Sequence, residues 1–317
     1  MIVRDLNYNP YLPRNPGFLD INRAELKINF QKYRDKPKFT VIIPSFNKKD
    51  SLKLVLGNFF KQDYPKSAYE VIVVDDGSTD KTLESIRSIE PTCNFKYFFW
   101  PRKKIEIKKE CKKWAGFYNR VGPARNIGLK NARGEIILFN DADILVGKNC
   151  LKKHKVHHQK YSNILVRGFR MFLPEKLNFK RIEDFNYLNK VSCVEKPEQE
   201  KKLHCRMYDL SKEGWQRIVT SSLSVRKRYL DKIGGFSQDF VFWGFEDVDL
   251  GYRLSKTFKL KFVWTDKIKV YHLWHPRESG SQARDLLAIG KGANILYNKY
   301  LDKEIIRIFT DVIERRL

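Results

Sequence analysis

Twice in this chain an apolar run ends in carboxylates. Val71-Ile72-Val73-Val74 leads into Asp75-Asp76-Gly77-Ser78, and Ile136-Ile137-Leu138-Phe139 leads into Asn140-Asp141-Ala142-Asp143. A run with no polar face has to be covered on both sides, the situation of a strand inside an α/β sheet with helices above and below. Open sheets of that kind bind ligands at the carboxyl ends of their strands. Acids at two such ends point to a site for a polyanion held together with a metal ion.

The remaining pattern agrees. A buried strand at 39–44 precedes a helix at 49–62 that lines up Leu52, Leu56, Phe59 and Phe60 on one face. A strand at 70–75 is followed by a helix at 80–89, which Asp80 or Thr79 is placed to cap. A strand at 95–99, a helix at 124–131 and a strand at 135–140 complete the first half. Strands alternating with helices predict a mostly parallel central sheet with right-handed crossovers. The second half is less regular. It reads as strands at 164–170 and 218–224, a polar loop region at 182–215, a helix from 245, strands at 259–263 and 267–270, and an amphipathic helical tail at 285–300 and 305–313. The expected division is an N-terminal arm (1–37) rich in Pro and Asn, a first half (38–150), a second half (151–282) and the tail (283–317).

A length of 317 residues with 42% hydrophobic content is enough for a substantial core. No apolar run approaches the roughly 20 residues a membrane span needs, and the first residues lack the pattern of a secretory signal, so the cytosol is the expected compartment. Five cysteines without a C-x-x-C spacing argue for reduced thiols rather than a disulfide framework or a zinc site. A formal charge of +25 favours polyanionic partners of any kind.

Several segments have residues suited to chemistry. Asp141 and Asp143, alternate residues after a strand, offer hard oxygens to Mn²⁺ or Mg²⁺ arriving with a diphosphate, although a lone D-x-D is also an ordinary acidic turn. Asp76 is suited to accept hydrogen bonds from a uracil imide or a ribose hydroxyl, with Gly77 allowing close approach; the plain alternative is an Asp-Gly turn. Phe242-Trp243-Gly244-Phe245-Glu246-Asp247-Val248-Asp249 puts acids at a helix start, where the helix dipole alone would favour them, behind an aromatic-Gly lead-in that could wall a sugar pocket. In Tyr271-His272-Leu273-Trp274-His275-Pro276 an imidazole at a strand end could complete the coordination of a metal held by Asp143. Arg125 and Asn126 open a helix and either face phosphates or support the loop around them. His154, His157 and His158 lie on a Lys-rich helical stretch and read as a solvated face. The basic run at 102–114 is either another such face or a contact for anionic lipid or a diphosphate carrier.

Val41-Ile42-Ile43-Pro44-Ser45-Phe46-Asn47, Val73 to Asp80, Ala124-Arg125-Asn126-Ile127-Gly128, Asp141-Ala142-Asp143 and Trp243-Gly244-Phe245-Glu246-Asp247, in that order, resemble the family-two inverting glycosyltransferases of the GT-A fold. The Trp-Gly-x-Glu-Asp segment is similar to one shared by galactosyl- and N-acetylgalactosaminyltransferases. The resemblance implies a Rossmann-like GT-A domain with a nucleotide-sugar-binding half and an acceptor half. Pro44, Ser45, Phe46, Asp76, Arg125, Asn126, Asp141, Ala142, Trp243 and Gly244 would line the nucleotide-sugar site. It also implies Asp76 on uridine, Asp141 on the ribose or metal-bound water, and Asp143 and Asp141 with His272 around Mn²⁺ or Mg²⁺, His275 being the alternative ring. Asp247 would be the base, with Glu246 beside it in the catalytic pair.

The implied reaction is metal-dependent transfer of a hexose or N-acetylhexosamine from a UDP-sugar to a glycan, lipid-linked or polypeptide acceptor, as in cell-surface polysaccharide synthesis. The basic insertion at 101–121 and the amphipathic tail would suit a peripheral position on the inner face of a membrane. Two other readings compete. A sugar nucleotidyltransferase would need a Gly-rich loop after the first strand, and Ser45-Phe46-Asn47-Lys48-Lys49-Asp50 has no glycine. A nucleic-acid-binding protein would account for the charge, but no binding module is recognisable, so nucleic acid is not an expected partner.

Overall fold

The computed structural model describes residues 19–102, 119–194, 206–209, 214–240, 244–276 and 282–305. Its strands are β1 (Glu25–Phe30), β2 (Phe39–Ser45), β3 (Tyr69–Asp75), β4 (Asn94–Phe99), β5 (Ile136–Phe139), β6 (Ile144–Val146), β7 (Ile164–Phe172), β8 (Arg206–Asp209), β9 (Leu223–Arg226) and β10 (Lys261–His272). The helices are α1 (Lys49–Phe60), α2 (Thr82–Arg87), α3 (Val121–Asn131), α4 (Cys150–Lys160), α5 (Phe185–Val191), α6 (Lys227–Lys232), α7 (Glu246–Thr257) and α8 (Gln282–Tyr300).

All strands join one sheet in the order β1-β4-β3-β2-β5-β9-β7-β10-β6, with β8 paired to β10 off that path. In the first half, β4, β3, β2 and β5 are parallel, as their continuous apolar runs predict. β2 and β3 are buried along their whole length because alternate residues serve opposite faces. Val41 and Ile43 pack with α1 residues such as Leu52 and Phe59, whereas Ile42 packs on the other side with Phe139 and Leu250. Each fully buried apolar side chain of this kind contributes about 1.5–3 kcal/mol. Gly128 lets α3 lie on β2, since a Cβ there would come within 2.5 Å of Ile42.

The second half makes the sheet mixed rather than mostly parallel. β9 runs antiparallel to both β5 and β7, and β6 antiparallel to β10. The reversal has a consequence for function: β9 begins opposite Phe139, so the segment leading into it, residues 218–222, lies at the same sheet edge as the acids. The two short strands expected at 259–263 and 267–270 are one strand, β10, continuous through an irregularity between Thr265 and Lys269. Part of the N-terminal arm is an edge strand, β1, paired antiparallel with β4.

Two expectations about surfaces are corrected. His154 and His158 are buried, at 0% and 2% exposure, beneath the sheet rather than on a solvated face. His154 Nδ1 and His158 Nε2 each lie 2.8 Å from Ser224 Oγ, and His154 Nε2 lies 3.2 Å from Ser222 Oγ. Burial drives both imidazoles toward the neutral form, His158 down to about 4. Part of the apolar face of the tail is also internal: Ala293, Ile295, Leu296 and Ile305 belong to the core beside α7, whereas Tyr297 and Leu301 are exposed. Tyr300 donates to Asp249 at 2.6 Å, which fastens the end of α8 to α7. No helix among the described residues is long and apolar enough to cross one. Residues 103–118 of the basic insertion and residues 306–317 of the tail fall outside the described residues.

Candidate active site

The carboxyl ends of β2 and β3 are tied together before any ligand is considered. Asp76 N donates to the Ser45 carbonyl at 2.8 Å, Asn47 N to Ser78 Oγ at 2.8 Å, Thr79 N to Asn47 Oδ1 at 2.8 Å and Lys49 N to Asp80 Oδ2 at 3.0 Å. Asn47 takes a positive φ of 50° to make this turn. Pro44 and Ser45 are buried at its root, and the Ser45 hydroxyl lacks a hydrogen-bond partner.

Asp76 sits at the centre of this edge between two arginines that flank the basic insertion. Arg120 Nε donates to Asp76 Oδ1 at 2.6 Å, and Arg102 donates to the other carboxylate oxygen. Arg120 stacks 3.7 Å over the Trp100 ring and Arg102 3.8 Å over Phe46, which is 37% exposed. Gly77, at φ +78°, does serve a close approach, but to Arg102: a Cβ there would lie 2.9 Å from that residue's backbone and side chain. Arg120 is fully buried, also donating to the Trp100 carbonyl at 3.1 Å, so the groups left partly exposed in this row are Arg102 and the Phe46 ring.

A second cluster forms where β6 meets β10. The register pairs His272 with Ile144, and Leu273 N donates to the Asp143 carbonyl at 2.9 Å, so residues far apart in sequence converge. His272 Nε2 lies 3.8 Å and His275 Nε2 3.3 Å from the Asp143 carboxylate. Ligand atoms of Asp143, His272 and His275 all lie within 4.8 Å of one another. His275 Nδ1 is 2.9 Å from the Pro276 carbonyl, which can only accept, so Nδ1 is held there by a donated proton and Nε2 is the ring nitrogen turned to Asp143. Burial alone would raise Asp143, but His275, His272 and Lys48 more than offset it and hold the carboxyl well below its ordinary range. One carboxylate and two imidazoles suit a first-row divalent cation such as Mn²⁺. Both histidines therefore belong to the cluster, where the resemblance assigned one, and Asp141 does not.

Asp141 belongs instead to a third group. Arg125, 3% exposed on α3, reaches Asp141 at 3.0 Å, Glu246 at 3.1 Å and Asp247 at 3.5 Å. It is a hub for carboxylates rather than a side chain presented to phosphate. Gly244 and Phe245, with φ of 90° and 70°, turn the chain so that α7 starts with Glu246 and Asp247 facing this hub. Asp247 Oδ2 accepts from Thr220 N at 3.0 Å and Thr220 Oγ1 at 3.3 Å, while its Oδ1 has no hydrogen-bond partner. Oδ1 is buried 3.5 Å from the Arg125 guanidinium and the side chain as a whole is 15% exposed, so Thr220 and Arg125 fix Asp247 while part of it reaches the surface of the site. Burial raises both carboxyls of the Glu246–Asp247 pair, and the neighbouring charge of Asp247 adds to the shift of Glu246.

Asn126 supports a loop: its Oδ1 accepts from Phe236 N at 2.8 Å and its Nδ2 donates to Phe236 O at 2.8 Å. Its amide is thereby engaged away from any phosphate. Ala142 is buried in the turn between the acids. Trp243 lies outside the described residues. Sequence reasoning missed Lys48, Arg102, Arg120 and Thr220 as site residues.

A mixed sheet with acids gathered at one edge around a candidate cation cluster and the Asp247 carboxylate is the arrangement of a GT-A transferase. Residues 40–234 match the family model described as glycosyl transferase family 2, and this chain belongs to that family. Residues 201–276 match a second model, described as the N-terminal domain of galactosyltransferase. An uncharacterized glycosyltransferase of Bacillus subtilis, YfnE, is 29% identical over 75% of this chain, which spans 65% of that relative's length. The Staphylococcus aureus protein TarS, residues 1–349 in complex with UDP-GlcNAc, superposes with a TM-score of 0.61 at 20% identity, over 86% of this chain and 71% of that one. The mannosyltransferase PcManGT of Pyrobaculum calidifontis, solved with GDP-Man and Mn²⁺, superposes with a TM-score of 0.56 at 18% identity, over 89% and 69%.

Proposed function

We propose that this chain transfers a hexose or N-acetylhexosamine from a UDP-sugar to a hydroxyl acceptor with inversion at the anomeric carbon. The observation that carries the reading is the sequence of three groups along one sheet edge: the Asp76 row with Arg102 and Arg120, a candidate cation cluster at Asp143, His272 and His275, and the Asp247 carboxylate at the start of α7. Arg102 and the Phe46 ring, both partly exposed beside Asp76, suit a planar base and its hydrogen-bonding edge. The UDP-GlcNAc complex of TarS supports uridine as that base.

Asp143, His272 and His275 would hold Mn²⁺ or Mg²⁺. When bound, such an ion supplies positive charge to the departing diphosphate. The Asp247 carboxylate takes the acceptor hydroxyl proton as the acceptor oxygen bonds to the anomeric carbon and the bond from that carbon to the diphosphate oxygen breaks. Thr220 fixes the carboxylate, and the charge of Arg125 opposes the upward shift that burial imposes on Asp247. The acceptor is a glycan, a lipid-linked sugar or a polypeptide, and a basic membrane-facing surface at the insertion remains part of the proposal.

The test is UDP release from a panel of UDP-sugars with Mn²⁺, Mg²⁺ or chelator, with water as the slow acceptor. Cation-dependent release from one donor is expected. Pyrophosphate release from a nucleoside triphosphate and a sugar phosphate, with no UDP release, would overturn the reading in favour of a nucleotidyltransferase.

A further inference from the structure

Lys48 lies between the Asp76 row and the Asp143 cluster. It is the residue immediately before α1, and both of its neighbours are fixed: Asn47 is tied to Ser78 and Thr79, and Lys49 to Asp80. Its backbone is thus held by the same loop that presents Asp76. Its ammonium reaches across to the other end of the site, with Nζ 3.3 Å from Asp143 Oδ2 and 17% of the side chain exposed. The carboxylate that would receive a divalent cation is therefore already paired with a monovalent one.

We propose that Lys48 acts as an exchangeable counter-ion that makes cation and donor diphosphate enter together. The inference rests on the UDP-sugar reading above and deepens it. Without nucleotide, a divalent ion approaching Asp143 meets a fixed positive charge within ion-pair distance of the same carboxylate, and like charges oppose each other in a partly buried site. A diphosphate running from the Asp76 edge to the Asp143 cluster has to pass Lys48, whose backbone is held at the first and whose ammonium reaches the second. Its two negative phosphates attract the ammonium away from Asp143, and the vacated carboxylate accepts the divalent ion. Lysine suits the exchange because it is a point charge on a flexible four-carbon stem, unlike the planar fork of arginine. Lys48 then becomes a donor ligand, contributing to binding of the leaving group as well as to the order of entry.

The test uses Lys48→Gln, which keeps most of the stem and removes the charge, beside Lys48→Arg, which keeps the charge. Two equilibria are measured on the full chain. One is Mn²⁺ binding without nucleotide, from the free-ion electron paramagnetic resonance signal. The other is UDP binding at saturating Mn²⁺, by calorimetry. Lys48→Gln is expected to bind Mn²⁺ alone severalfold more tightly and UDP about tenfold more weakly, opposite signs from one substitution, while Lys48→Arg stays near the unsubstituted chain in Mn²⁺ binding. A simple structural defect would weaken both equilibria. Weaker or unchanged Mn²⁺ binding in Lys48→Gln, or unchanged UDP binding, would overturn the inference while leaving the donor reading in place. Absence of Mn²⁺-dependent UDP binding in the unsubstituted chain would overturn the donor reading and this inference with it.

Discussion

Replacing Arg125 with Met probes the centre of the site. Met keeps an apolar stem in the space under α7 but removes the cation shared by Asp141, Glu246 and Asp247, which lie at 3.0, 3.1 and 3.5 Å. Removing one partner of a buried ion pair costs roughly 3–5 kcal/mol. Asp141 retains 31% of its side-chain exposure and Asp247 15%, so water relieves part of the loss and Glu246, at 9%, bears most of it. The lower end, about 3 kcal/mol, is the expected cost. For a chain of this size that lowers Tm by about 6 °C. The loss carries a pH signature. Without the guanidinium the folded-state pKa values of Glu246 and Asp247 rise further above their unfolded values, so the folded state binds more protons and gains stability as pH falls. The Tm deficit of Arg125→Met should therefore be larger at pH 8 than at pH 5, as read by thermal unfolding of both proteins in matched buffers. A deficit below about 2 °C, or one independent of pH, would refute the view of Arg125 as the counter-charge of this cluster.

Other outcomes follow from the same geometry. His154 and His158 are held neutral by burial, with folded pKa values below the ordinary 6.5 and His158 near 4. Their contribution is complete above pH 6.5 and is lost as pH falls toward 4; His158 alone accounts for up to roughly 3 kcal/mol. Urea midpoints should fall across that window, and equal midpoints at pH 7 and pH 4.5 would contradict the burial. His272→Ala and His275→Ala should each weaken Mn²⁺ binding in the presence of UDP at least tenfold by calorimetry. A variant that binds Mn²⁺ normally removes its ring from the cluster.

The parallel half of the sheet was legible because its strands are apolar on both faces and end in acids, a pattern with few alternatives. β1 was not read as a strand, although Leu26, Ile28 and Phe30 alternate as an edge strand requires; the polar residues between them and the turn-rich arm masked the period. The mixed second half was not legible, since strand direction is set by where the chain enters the sheet, and β9 enters from the acidic edge. His154 and His158 were misread because the lysines of α4 suggest a solvated helix, yet Leu151, His154 and His158 share one face at helical spacing and all three are buried.

In the site, the convergence of Asp76, Asp143, His272 and His275 on one sheet edge was readable from their positions after strands. Their cations were not. Arg102 sits beside a basic run, Arg120 near its end and Lys48 among lysines, and only the fold shows that each meets a particular carboxylate. Thr220 has no sequence signal, because its role is a backbone and hydroxyl contact to Asp247 across 27 residues.

The central claim, that Asp247 is the base of a UDP-sugar transferase, is tested most directly by Asp247→Asn, measuring UDP binding by calorimetry and UDP release from the preferred donor on the same preparation. The account predicts UDP affinity within a few-fold of the unsubstituted chain and release slower by about 10²- to 10⁴-fold. Release at the unsubstituted rate, with the variant folded and binding UDP, would contradict it.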